Sequence, residues 1–217
     1  MRELKLAPSI FAADIGDLKK QIRILEEQNA DLLHVDVMDG HFVEKMAFGP
    51  DHIKMLKEIT NLPLDVHLMI ERPERKLDEM IHAGADIITI HQEATARLYS
   101  CIEKIKSSGR KAGVVLSPAT NEQSLKYIMD KIDMILLMTI HPGEDGPGFH
   151  EELLEKIQNV REMIGDREID LEVDGGIDQT NIGRCREAGA NVFVSGGYVF
   201  QGDISKNMQR LREELGE

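Results

Sequence analysis

In the run His34-Val35-Asp36 an imidazole and a carboxylate lie two residues apart. If the segment is extended they share a face, because side chains of a strand alternate with period two. A second imidazole, His67, and a second carboxylate, Asp174, stand in similar apolar settings, Leu64-Asp65-Val66-His67-Leu68-Met69 and Leu171-Glu172-Val173-Asp174. Together, two imidazoles and two carboxylates make a ligand set for one divalent ion, Zn²⁺ or else Fe, Mn or Co. Taken singly, each has a plainer explanation: a histidine hydrogen-bonded within a core, an aspartate that caps a turn. The case for a metal therefore depends on the fold bringing the four together.

A second group is made of glycines. Gly143 and Gly146 fall in the stretch from His141 to Gly148, Gly175-Gly176 follow Asp174, and Gly196-Gly197 follow the apolar run that ends at Val194. Glycine lets backbone approach a ligand closely, and backbone N–H groups at helix N-termini bind phosphate without Lys or Arg. The competing explanation is that such pairs only make tight turns.

The elements that must position these groups are legible as a repeat. Eight short apolar runs recur: Leu4 to Ile10, Leu32 to Val37, Leu64 to Met69, Ile87 to Ile90, Ala112 to Leu116, Met134 to Ile140, Ile169 to Val173 and Val192 to Val194. Their near-continuous apolarity is that of strands covered on both faces, hence parallel. Between them, stretches such as Leu18-Ile22-Leu25, Leu77-Met80-Ile81, Leu98-Ile102-Ile105 and Leu153-Leu154-Ile157-Val160 have helical spacing. The joins Asn29-Ala30-Asp31, Ala83-Gly84-Ala85-Asp86, Ser107-Ser108-Gly109 and Ala188-Gly189-Ala190-Asn191 end helices with small residues suited to a C-terminal cap. Eight units without a linker predict an α/β fold in which residues 1–217 form a single (β/α)8 TIM barrel domain; an open doubly wound sheet is the alternative. In a barrel the chemistry sits at the C-terminal strand ends, where His34, Asp36, His67 and Asp174 all fall. The glycines then follow strands six, seven and eight, close to where such barrels bind phosphate.

Composition narrows the partners. A formal net charge of −13 with no concentrated basic patch works against nucleic acid and anionic membrane, and aromatics at 4 % without Trp remove the usual base-stacking platforms. An anionic substrate must then be held by local dipoles or a metal. The N-terminus has no apolar signal region, no run approaches a membrane span, and Cys101 and Cys185 lie far apart in segments with helical spacing. These features predict a cytoplasmic protein with reduced thiols and leave open whether it is a homo-oligomer.

Several segments together carry a resemblance. Ala7-Pro8-Ser9-Ile10, His34-Val35-Asp36-Val37-Met38-Asp39-Gly40-His41-Phe42-Val43, Phe48-Gly49-Pro50, Leu62 to Met69 and Glu172-Val173-Asp174-Gly175-Gly176-Ile177 closely resemble the ribulose-phosphate 3-epimerase family, in order, from about residue 6 to residue 204. The resemblance implies a divalent metal held by His34, Asp36, His67 and Asp174, with Asp36 and Asp174 as the acid/base pair. It implies that Ser9 and His67 contact the substrate and that Met38, Met69 and Met138 line the reacting carbons, although methionine is more often core filling. The substrate so implied is a ketose phosphate, D-ribulose 5-phosphate, epimerised at C3 to D-xylulose 5-phosphate through an enediolate. His41 and His91 are further candidates for the pocket wall.

The chain departs from the family pattern at the phosphate end. The family's Asn-Pro-Gly-Phe-Gly-Gly-Gln is here His141-Pro142-Gly143-Glu144-Asp145-Gly146-Pro147, its Gly-Ser-Ala is Gly196-Gly197-Tyr198, and Lys45 stands where Asn is frequent. Two other functions follow as alternatives: epimerisation of D-allulose 6-phosphate or another ketose phosphate, and a non-catalytic phosphosugar-binding barrel.

Overall fold

The computed structural model describes residues 2–144 and 148–216. Nine strands form one sheet: β1 (Lys5–Pro8), β2 (Leu33–Asp39), β3 (Met46–Ala47), β4 (Leu64–Met69), β5 (Ile87–His91), β6 (Lys111–Leu116), β7 (Met134–Met138), β8 (Asp170–Asp174) and β9 (Val192–Ser195). The helices are α1 (Leu18–Glu27), α2 (Pro50–Ile59), α3 (Leu77–Ala83), α4 (Leu98–Ser107), α5 (Leu153–Ile164), α6 (Ile182–Ala188), α7 (Gly197–Phe200) and α8 (Ile204–Leu215). Between β6 and β7 the crossover is made of 3₁₀ turns, Glu122–Tyr127 and Met129–Lys131.

The order around the sheet is β1-β9-β8-β7-β6-β5-β4-β2, all parallel, with β3 antiparallel on β2. A parallel bridge between Ser9 and His34, and hydrogen bonds from Asp31 N and Leu32 N to Leu6 O, join β1 to β2 and close the barrel. The open-sheet alternative is thereby set aside. Two predicted runs are shorter as strands. Ser9 leaves β1 to cap a 3₁₀ turn, its hydroxyl accepting from Phe11 N, and β7 stops at Met138.

Period two sorts the strand residues into two environments. Leu33, Val35, Val37, Leu64, Val66 and Leu68 join the large core shared with the helices, each buried residue contributing about 1.5–3 kcal/mol. Their neighbours face the barrel axis. At the N-terminal end Ala7, Leu32, Ile87, Met134 and Val192 form a separate apolar cluster. Higher up the same faces carry His34, Asp36, Asp65, His67, Thr89 and Glu172, all buried. The interior is full: a Cβ on Gly113 would lie 2.6 Å from Thr89 Cγ2.

The predicted joins do more than cap helices. Gly84 and Gly189 end α3 and α6 in the left-handed region, φ 106° and 114°. The polar residue shortly after α1, α3, α6 and the 3₁₀ crossover then accepts a backbone N–H from the neighbouring strand. Asp31 binds Leu6 N, Asp86 binds Leu64 N, Asp133 binds Ala112 N and Asn191 binds Leu171 N, each at 2.8 Å. Repeated at four joins, this fixes strand register at the end of the barrel away from the chemistry. Cys101 and Cys185 are buried on α4 and α6 and unbonded, and burial pushes the Cys185 thiol up to about 12.

Candidate metal centre and substrate cavity

Strand register assembles the site. In the β2–β4 pair His34 is opposite Asp65 and Asp36 is opposite His67, so two i, i+2 pairs on adjacent strands make a square of polar side chains. Glu172 and Asp174 on β8 add a third pair. His34 Nε2 lies 3.4 Å from Asp36 Oδ1 and 3.8 Å from Asp174 Oδ2; His67 Nδ1 lies 3.4 Å and 3.7 Å from the same two oxygens.

All four ligand atoms fall within 4.8 Å of one another. A tetrahedral ion with bonds of roughly 2.0–2.1 Å would need edges of about 3.3 Å, close to these separations. His34 Nε2 and His67 Nδ1 are buried yet have no hydrogen-bond partner, a costly arrangement for a polar atom unless something else binds there. The four residues therefore fit a divalent cation, and the group could hold one.

The outer atoms of His34, His67 and Asp36 are tied down. His34 Nδ1 meets Asp65 Oδ2 at 2.6 Å, and His67 Nε2 meets His91 Nε2 at 2.9 Å. Ser9 Oγ donates to Asp36 Oδ2 at 2.5 Å. Such contacts orient metal ligands and tune their basicity.

Among the protein groups alone, the two carboxylates are driven apart. Burial pushes Asp36 upward, but His34 and His67 reverse this and hold it well below the usual carboxylate range. Burial raises Asp174 to about 6, with Asp36 adding to the rise against the pull of His34 and His67. Burial disfavours charge on His34 too, yet Asp36 and Asp65 raise it well above its ordinary value. Deeper in, burial and the Asp65 carboxylate push Glu172 well above the usual range. Two carboxyls with separated proton affinities at one centre are the arrangement that acid/base catalysis uses.

Above the cage opens a cavity of about 570 Å³. Asp36 and Asp174 reach its wall, while His34 and His67, the latter also expected to contact the substrate, lie buried behind it. Ser9, Met38, Met69 and Met138 line it, as do Gly143, Gly175, Gly176, Gly196 and Gly197. Gly146 lies outside the described residues, as do Asp145 and Pro147. Gly175 has φ 126°, and a Cβ there would stand 2.6 Å from Ile140 Cγ1, so no side chain fits. Gly197 begins α7, and a Cβ on it would meet nothing within 4 Å.

Glu144 is exposed but also on the cavity wall, and Lys45 lines the wall with its Nζ 5.3 Å from the centre of the Phe11 ring. His41 is exposed and binds back to Asp39 O; it is not a wall residue. His91 is fully buried against His67. Asp65 and Glu172 were not singled out from the sequence, although each sits two residues before a ligand, and the period-two rule that paired His34 with Asp36 reaches both.

The family model described as the ribulose-phosphate 3 epimerase family matches residues 5–200. A ribulose-phosphate 3-epimerase of Bacillus subtilis is 43% identical over 213 residues, covering 96% of this chain and 98% of the relative. That of Escherichia coli K12 is 40% identical over 221 residues, covering 100% and 98%. The chloroplastic ribulose-5-phosphate-3-epimerase of Arabidopsis thaliana is 41% identical over 202 residues, covering 91% of this chain and 72% of the relative.

Among solved structures, 3-keto-L-gulonate-6-phosphate decarboxylase from Vibrio cholerae aligns over 100% of this chain and 98% of its own, with TM-score 0.77 at 16% identity. The 3-hexulose-6-phosphate synthase of Salmonella typhimurium covers 98% of each chain, with TM-score 0.74 at 16% identity. At that identity the likeness is one of barrel fold. With a family model spanning nearly the whole described barrel and full-length relatives at 40% identity and above, the chain belongs to the ribulose-phosphate 3-epimerase family.

Proposed function

We propose that this protein is a metal-dependent 3-epimerase that interconverts D-ribulose 5-phosphate and D-xylulose 5-phosphate, working as one barrel domain over residues 1–217 in the cytoplasm. The observation that carries the reading is the cage itself: two carboxylates from different strands reach the wall of one cavity, beside two buried imidazole nitrogens that lack partners.

Inverting C3 requires that a proton leave one face of the carbon and another arrive on the opposite face. Asp36 on β2 and Asp174 on β8 come from different strands and take these two roles, each returning to its starting state in the reverse direction. A divalent ion held by His34, Asp36, His67 and Asp174 supplies Lewis-acid stabilisation of the negative charge that develops on the substrate oxygens. Ser9 steadies Asp36, Met38, Met69 and Met138 surround the reacting carbons without competing hydrogen bonds, and the glycines at 143, 175, 176, 196 and 197 give backbone access to the phosphate. Zn²⁺, Fe, Mn and Co all suit these two imidazole and two carboxylate donors.

A second reading, epimerisation of D-allulose 6-phosphate or another ketose phosphate, is favoured by one observation, the Glu144 carboxylate on the cavity wall. The deciding assay measures C3 epimerisation by protein loaded with each metal in turn and by protein stripped with chelator. Turnover that is lost on stripping and restored by metal supports the proposal; a protein that binds ketose phosphates but never turns them over is a binding barrel.

A further inference from the structure

One chain of contacts leads away from the metal cage to the far side of the barrel mouth. His67 Nε2 is 2.9 Å from His91 Nε2, and His91 Nδ1 is 3.2 Å from Glu93 Oε2. The other Glu93 oxygen accepts hydrogen bonds from Ser117 N at 2.9 Å and from the Thr120 hydroxyl. Lys156 on α5 holds the same loop by donating to Ser117 O at 2.9 Å and Pro118 O at 3.1 Å. Three strand ends and one helix are thereby tied to a single metal ligand.

Donor and acceptor counting gives this chain a direction. A carboxylate only accepts, so the His91 nitrogen facing Glu93 carries the hydrogen. A neutral imidazole has one N–H, which leaves His91 Nε2 as an acceptor. The nitrogen facing it, His67 Nε2, must then be the N–H of His67. What remains bare is His67 Nδ1, the buried atom without a partner that points at Asp36 and Asp174.

We propose that Glu93, acting through His91, is a positioning residue that fixes His67 as its Nε2–H tautomer, so that the Nδ1 lone pair is always presented to the metal. The inference rests on the metal reading above for its purpose, but the tautomer can be read without any metal. It also explains why Glu93, rather than Gln, suits this place. Ser117 N–H is an obligate donor, so a glutamine here must turn its oxygen toward Ser117 and its NH₂ toward His91. That reverses each donor along the chain and puts the hydrogen of His67 on Nδ1, where a cation must displace it.

The test uses the full chain with Zn²⁺ and Mn²⁺ as probes. Affinity is measured by competition with a chromophoric chelator, and the His67 tautomer by ¹⁵N imidazole spectra of metal-free protein. Glu93→Gln is expected to weaken both metals by about 10- to 100-fold and to move the His67 hydrogen from Nε2 to Nδ1. His91→Gln offers an acceptor to His67 and a donor to Glu93 and is expected to stay within a few-fold of the parent, whereas His91→Leu loses affinity as Glu93→Gln does. Glu93→Gln with parental affinity and an unmoved His67 hydrogen overturns the proposal, and so does His91→Gln binding as weakly as His91→Leu. A parent protein that binds neither ion overturns the metal reading instead, while its spectra still decide the tautomer.

Discussion

The Ser9 hydroxyl donates to Asp36 Oδ2 at 2.5 Å, and this turns the other oxygen, Oδ1, to stand 3.4 Å from both His34 Nε2 and His67 Nδ1. A residue at the end of β1 thus sets the angle of a carboxylate on β2. Ser9→Ala is expected to leave the fold intact and to lower metal affinity roughly 10-fold, since outer partners of ligating groups typically carry that much. Chelator competition measures it, and unchanged affinity would show that the cage holds Asp36 without help.

Neither carboxylate should be dispensable. Asp36→Asn and Asp174→Asn each keep shape and remove a proton-transfer group and an anionic ligand, so each is expected to abolish measurable epimerisation with little change in circular dichroism. Turnover by the parent protein in D₂O should place deuterium at C3 of the product. Full retention of the original hydrogen would refute a route through two carboxylates.

Metal and protons compete for the same atoms. Among the protein groups alone, Asp36 and Asp65 raise His34 above its ordinary value and burial raises Asp174 to about 6, so both hold protons more tightly than usual and an incoming ion must displace them. Since a metal binds only the deprotonated ligand, affinity must rise with pH and proton release on binding must increase as pH falls through about 6, where Asp174 takes up its proton. Calorimetry in buffers of different ionisation enthalpy counts these protons, and a pH-independent affinity would contradict the arrangement.

The pairing of His34 with Asp36 is legible in the sequence because period two is a local rule: the two share a face whatever surrounds them. Their convergence with His67 and Asp174 required the barrel, which the eight apolar runs and their glycine-capped joins supplied. What escaped were contacts set by register and loop path. That Asp65 would meet His34 depends on the β2–β4 alignment, and that Glu93 would reach Ser117 depends on how two loops pass each other. Neither spacing has a sequence signature. The two-residue β3 was equally hidden, since Met46-Ala47 is too short to show any period.

At the opposite end of the barrel, stability and catalysis should separate. Asn191 is buried, accepts from Leu171 N and from Arg161 Nη2 at 2.8 Å each, and donates to Asp170 Oδ1 at 2.8 Å. Asn191→Ala strands a buried backbone donor and loosens β8 from β9, at a cost of about 2–3 kcal/mol. For a domain of this size Tm should fall by roughly 4–12 °C while kcat stays near parental. A loss of kcat without loss of Tm would mean that register at this end reaches the cage.

The substrate's phosphate end provides the sharpest test of how far the family's specificity extends to this chain. Glu144 lies on the cavity wall, Pro147 removes one N–H from the loop, and Tyr198, its hydroxyl donating to Gln179 Oε1 at 2.9 Å, stands beside Gly197. A carboxylate facing a dianion is unfavourable at short range and inconsequential when solvated, because water screens the pair. Glu144 is exposed, and the backbone of Gly175, Gly176, Gly196 and Gly197 remains available on the wall, so the cradle should tolerate the change. Ribulose 5-phosphate is accordingly expected to show the highest kcat/KM when four-, five- and six-carbon ketose phosphates are compared, and Glu144→Gln should alter its KM by no more than about threefold, roughly 0.7 kcal/mol. Preference for a six-carbon substrate, or a tenfold fall in KM on neutralising Glu144, would instead show that this loop has reshaped the pocket around a different sugar phosphate.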